Sequence, residues 1–107
     1  MADEKQLIVI ATEAVNVFSK LFDGAVVSCG SNTASVRASG TAADSVVIDC
    51  HQTNKRIALL TMDQYPDEFA IAVCDKNNPD DVKSTRLPIS ELLTKTVIEH
   101  MEANFAK

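Results

Sequence analysis

The sequence has no tryptophan, one tyrosine and four phenylalanines among its 107 residues. Binding hot spots favour Trp, Tyr and Arg, so any interface of this chain has to lean on aliphatic side chains, Phe or charge. Glycine is equally scarce, with only Gly24, Gly30 and Gly40. That excludes a glycine-rich phosphate loop, and neither Gly-x-Ser-x-Gly nor His-Glu-x-x-His occurs. No stretch approaches the ~20 apolar residues of a membrane span. The apolar run from Leu7 to Ala11 is short, and Glu13 soon interrupts it. The start, Met1-Ala-Asp-Glu-Lys, is net acidic where a signal peptide is basic.

Three cysteines, Cys29, Cys50 and Cys74, form no Cys-x-x-Cys pair, and their number is odd. A small secreted domain more often carries an even disulfide framework. Reduced thiols and a cytoplasmic setting are the expectation. The length suits one α+β domain over 1–107.

What the chain does have is localised negative charge. Its net charge is −5, and residues 62–81 alone hold six acids against Lys76. These are Asp63, Asp67, Glu68, Asp75, Asp80 and Asp81. A chain without a basic footprint is a poor nucleic-acid binder. A basic protein partner fits the charge better.

Hydrophobic periodicity divides the chain in three. From Ala2 to Phe22 it predicts a helix, ended by the C-cap signal Asp23-Gly24. Leu7, Ile10, Ala11, Ala14, Phe18 and Leu21 form one apolar face, while Ile8, Val9, Val15, Val17 and Phe22 extend apolarity around the cylinder. A surface helix normally carries one stripe. Two expectations follow: a helix sandwiched between the sheet and the C-terminal helix, or a second face, marked by Ile8, Val15 and Phe22, that packs on another subunit.

From 25 to 86 the period is two. Strands are expected at Ala25–Cys29, around Ala34, Val36 and Ala38, at Ser45–Cys50, at Arg56–Met62 and around Phe69, Ile71 and Val73, with a short edge strand at Val82–Leu87. Connections this short leave no room for crossover helices, so the five or six strands should pair mostly antiparallel. Small inward residues, Ala34, Ala38 and Ala70 or Ala72, suit close packing of helix on sheet. A last helix is expected from Pro88, lined by Ile89, Leu92, Leu93, Val97, Met101 and Phe105. The fold expected is an N-terminal helix, an antiparallel sheet and a C-terminal helix, with the helices on one face.

Catalytic constellations are weak. Asp49-Cys50-His51 has the residue types of nucleophile, base and orienter, but adjacent strand residues point to opposite faces. The cysteines lie on separate strands without the clustered spacing of zinc ligands, and read as core residues. The loop Asp75 to Asp81 lacks the glycine and closing Glu of a calcium loop. No enzyme, metal or cofactor is therefore expected. The expected function is contact: a small acidic inhibitor, adaptor or chaperone-like accessory factor acting through residues 62–81; the alternatives are a self-associating structural or regulatory subunit, as a homodimer, and, after it, a small metal-dependent enzyme. The last third, strand-loop-strand followed by Leu87-Pro88-Ile89 and a terminal helix, resembles the type III secretion chaperones in pattern. The interior helix of that family is missing from 40–68. The resemblance implies a small acidic dimer that binds protein.

Overall fold

The computed structural model describes residues 4–22 and 26–105. Helix α1 spans Glu4–Leu21, and the strands are β1 (Val27–Ser31), β2 (Ala43–Cys50), β3 (Lys55–Met62), β4 (Glu68–Asp75) and β5 (Asn78–Pro88). Helix α2, Thr33–Ala38, connects β1 to β2, and helix α3, Thr94–Phe105, closes the chain. The sheet is a meander in the order β1-β2-β3-β4-β5, with every neighbour antiparallel. This is the expected α+β architecture with five strands. The C-cap signal Asp23-Gly24, and with it Ala25, lies outside the described residues.

The core follows from strand alternation. Val46 and Ile48 on β2, Ile57 and Leu59 on β3, and Phe69 and Ile71 on β4 point to one face and are buried. Leu7, Ala11, Ala14 and Phe18 of α1 and Val97, Met101 and Phe105 of α3 close over them. Phe18 is 1% exposed, with its ring 4.6 Å from that of Phe22 and 6.2 Å, edge-on, from that of Phe105. Helix α1 lies against α3, β1 and β2, the sandwiched arrangement that its broad apolarity allows.

Four expectations about the elements and their facing need correction. The stretch Ala34–Val36–Ala38 is helix α2, not a strand. Six residues cannot separate a period of two from a helical turn, and the stop signal decides. Gly40, at φ +97°, donates its N–H to the Arg37 carbonyl, and Thr41 donates to Val36. That bond pair is the glycine-dependent helix ending of the Schellman type.

The 75–80 loop is instead a two-residue turn at Lys76-Asn77, so β5 reaches back to Asn78. Asp75 holds this turn by accepting the Asn77 N–H at 2.9 Å, and the pairing slips between Cys74 and Asp75. An Asp side chain bonding the backbone two residues on is a turn-former in its own right.

The C-terminal helix starts later than Pro88. A 3-10 turn, Ile89–Glu91, drops Leu92 into the core, and Leu93 is left 44% exposed. Ser90, Thr94, Thr96, Val97 and Ile98 are weak helix formers, so local propensity does not carry one helix across the junction. Ala70 and Ala72 also change sides: they point away from the helices, opposite Phe69, Ile71 and Val73.

Candidate functional site

The meander leaves its other face without α1 or α3, and the register places the residues there in rows. One row runs Ser45–Leu60–Ala70–Arg86, the next Val47–Ala58–Ala72–Ser84, and the third Asp49–Arg56–Cys74–Val82. Helix α2 packs only at the start of β2. There the Thr33 hydroxyl accepts the Ser45 N–H at 3.0 Å, and Ala43 and Ser45 are fully buried. Beyond that corner, Val47, Ala58, Leu60, Met62, Ala70, Ala72 and Cys74 are half-buried, and Val82 is 52% exposed.

An antiparallel sheet with one face in water normally alternates apolar inward and polar outward residues. Here the outward positions in the middle strands are apolar as well. Near-continuous apolar strands are the pattern of a sheet buried on both faces.

Charge fixes the ends of this face. Asp49 accepts Arg56 Nε at 2.7 Å and Arg56 Nη2 at 3.3 Å, and Lys76 Nζ stands 3.2 Å away. Partial burial alone would push the Asp49 carboxyl up, but Arg56 and Lys76 outweigh it and hold it below the usual carboxylate range. The Arg56 guanidinium is correspondingly pushed up by Asp49. At the opposite end, Arg86 lies 4.3 Å over the Tyr65 ring and 4.0 Å from Glu68.

The acidic residues of 62–81 fall at the two ends of β4 rather than in one patch. Asp63, Asp67 and Glu68 sit at the β3–β4 connection, and Asp75 sits at the β4–β5 turn. The eight residues of β4 separate those ends by roughly 26 Å at ~3.3 Å per residue. Asp63 is bound by both Nη atoms of Arg37 at 3.1 Å, and Asp44 takes Nη2 at 2.9 Å. That contact holds the Asp63 carboxyl below its ordinary range. Asp67 is exposed, and the side chains of Asp80 and Asp81 lie outside the described ones. Ile8 and Val15 on α1, and Phe22 just past its end, are partly buried against the edge of the core, while Val9, Val17 and Leu21 are the exposed apolar residues of the helix.

Of the weighed catalytic triplet, Cys50 is buried at 1% exposure and His51 is exposed. His51 meets Ser28 instead, Nε2 to Oγ at 2.9 Å, on the open edge of the sheet. Among the described residues no carboxylate bonds this histidine, and it does not line either of two clefts on the surface. One cleft, about 170 Å³, is lined by Lys55, Val73, Cys74, Asp75, Lys83 and Asn104. The other, about 240 Å³, runs from Gly40 to Tyr65 past Met62. Cys29 and Cys50 contribute to the core or its margin, whereas Cys74 points to the helix-free face, a correction to its reading as a core residue. All three cysteines are free. Among the described residues no three His, Cys, Asp or Glu side chains converge as metal ligands, and no helix is long and apolar enough to cross a membrane.

Compared with protein-family models, curated proteins and solved structures, the chain finds no match. The helix-free face is the feature that sequence reasoning passed over. Its signal was present in Ile57-Ala-Leu-Leu60 and Phe69-Ala-Ile-Ala-Val-Cys74, where the alternate positions are small and apolar instead of polar.

Proposed function

We propose that this chain is a non-catalytic protein-binding domain, an inhibitor, adaptor or chaperone-like accessory factor, and that it engages protein through the helix-free face of its sheet. One observation carries the reading: Val47, Ala58, Leu60, Met62, Ala70, Ala72 and Val82 occupy outward positions where a solvated sheet carries polar residues. A contiguous apolar patch rimmed by charge marks an interaction surface. The acidic groups at both ends of β4, with Asp67 exposed, add a field that favours a basic partner and speeds encounter. The three free thiols support a reducing, cytoplasmic setting.

The test uses the wild type and Ala72→Glu as baits in native lysate. A protein retained by the wild type and lost with the variant supports the reading, and identical retention by both baits refutes it. Charge steering is read separately. Asp67→Lys should slow association at low salt and have little effect at high salt.

A further inference from the structure

Resting on that reading, we propose that the occupant of the helix-free face is a second copy of this chain, packed sheet to sheet with the helices outside. Size argues first. The four strands β2–β5 at ~4.8 Å and six residues of each at ~3.3 Å make a face of roughly 19 by 20 Å, a projection of about 380 Å². Two copies then cover about 760 Å² in projection, and side-chain relief adds accessible area to this, towards the ~1,000 Å² that a specific interface has to clear. A single helix, about 10–12 Å across, would cover only half the width.

Relief argues second. Val47, Leu60 and Met62 stand beside a trough formed by Ala58, Ala70 and Ala72, since Leu60 neighbours Ala70, and Val47 neighbours Ala58 and then Ala72. A two-fold axis gives both copies the same patch, so the ridge of each can seat in the trough of the other. Small residues there let two sheets approach to the ~10 Å of a β-sandwich.

Charge argues third. Asp49 is satisfied within its own chain by Arg56 and Lys76, at one end of the apolar rows, so closing the face leaves it paired.

Sedimentation velocity of the purified chain, from micromolar to submillimolar concentration, tests this. The wild type should sediment as two 11.6 kDa chains. Ala72→Glu should raise the dissociation constant at least ~100-fold, because it places an unpaired carboxylate in the interface. Val17→Glu, on the exposed side of α1, should leave the dimer intact. Circular dichroism and a cooperative unfolding midpoint establish that each variant is folded. If Ala72→Glu does not fold, Val82→Glu decides, since that side chain is already 52% exposed.

A dimer that survives the folded face variant overturns the proposal. A monomeric wild type that still loses a lysate partner on Ala72→Glu overturns the second copy and leaves the contact function standing. A monomer without a face-dependent partner overturns both.

Discussion

Replacing Phe18 by Ala tests how much of the apolarity of α1 the fold itself consumes. Phe18 is 1% exposed, between the rings of Phe22 and Phe105. Burial and cavity terms put a core Phe→Ala change at about 3–5 kcal/mol, of which the aromatic pairs contribute ~0.5–1.5 kcal/mol each beyond area. A domain of this size has about 5–15 kcal/mol in total, so the variant should lose roughly a fifth or more of its stability. Near 4 kcal/mol, at roughly 4–5 °C per kcal/mol, the melting midpoint should drop by about 15–20 °C. Urea unfolding followed by circular dichroism, at fixed protein concentration and with unchanged m, gives the free energy directly. Leu21→Ala, at a position 59% exposed, is the control and should stay within about 0.5 kcal/mol. Phe22→Ala is the discriminating arm. Packed on Phe18 and partly buried, it should cost about 1–2 kcal/mol and leave self-association unchanged. A loss below about 1 kcal/mol for Phe18→Ala would refute the packing argument. A Phe22→Ala variant of full stability but weakened association would move the interface to α1, with Ile8 and Val15 beside it.

Three further outcomes are expected. The Asp49 carboxyl is held below its unfolded value, so its contribution to stability is present above the ordinary carboxylate range and is lost as pH falls through the lower folded value. Arg56→Ala should cost about 1–2 kcal/mol near neutral pH, between the exposed and buried limits for an ion pair, and urea midpoints against pH should show a smaller acid loss than in the wild type, because Asp49 is then held less far below its unfolded value. Gly40→Ala, at φ +97°, should cost about 1 kcal/mol, whereas Gly30→Ala meets no atom within 4 Å and should be neutral or slightly stabilising by thermal melting. Thr61→Val should raise the unfolding free energy by up to about 1–2 kcal/mol, because the buried Thr61 hydroxyl has no hydrogen-bond partner among the described residues and the isostere removes that desolvation cost. A lower midpoint for Thr61→Val would contradict it.

The elements legible in the sequence are those with long, one-sided periodicity. Helix α1 and the core rows of β2, β3 and β4 follow from apolar spacing over eight or more residues. Helix α2 was not legible, because six residues with Ala at alternate positions satisfy both periods. The information lay in Gly40, which reads as a loop residue until its N–H is seen returning to Arg37. The start of β5 was hidden for a related reason. Asp75, Lys76, Asn77, Asn78 and Pro79 are all turn formers, and nothing in their order says that two residues suffice. The acidic stretch was legible as composition and misleading as a surface. Strand β4 carries its two halves to opposite ends of the sheet, and Arg37, some 26 positions away, already meets Asp63.

A period of two does not by itself say whether the outward face of a strand meets water. In the middle of β3 and β4 the outward residues are apolar like the inward ones: Ala58 and Leu60 beside Ile57 and Leu59, and Ala70 and Ala72 beside Phe69 and Ile71. A sheet that met water there would gain from Thr, Lys or Glu at those positions, and each Ala or Leu forgoes that hydration. Among the described side chains, the charged residues on this face stand at its ends and are already engaged: Asp49 with Arg56 and Lys76, and Arg86 with Tyr65 and Glu68. Pairing within the chain frees the middle of the sheet to meet an apolar surface without stranding a charge, since an unpaired charge under an interface costs several kcal/mol. The same arrangement limits what can dock. A flat sheet with a shallow alanine trough and fixed ionic ends accepts a surface of matching width and rejects a narrow one that would leave half of it in water.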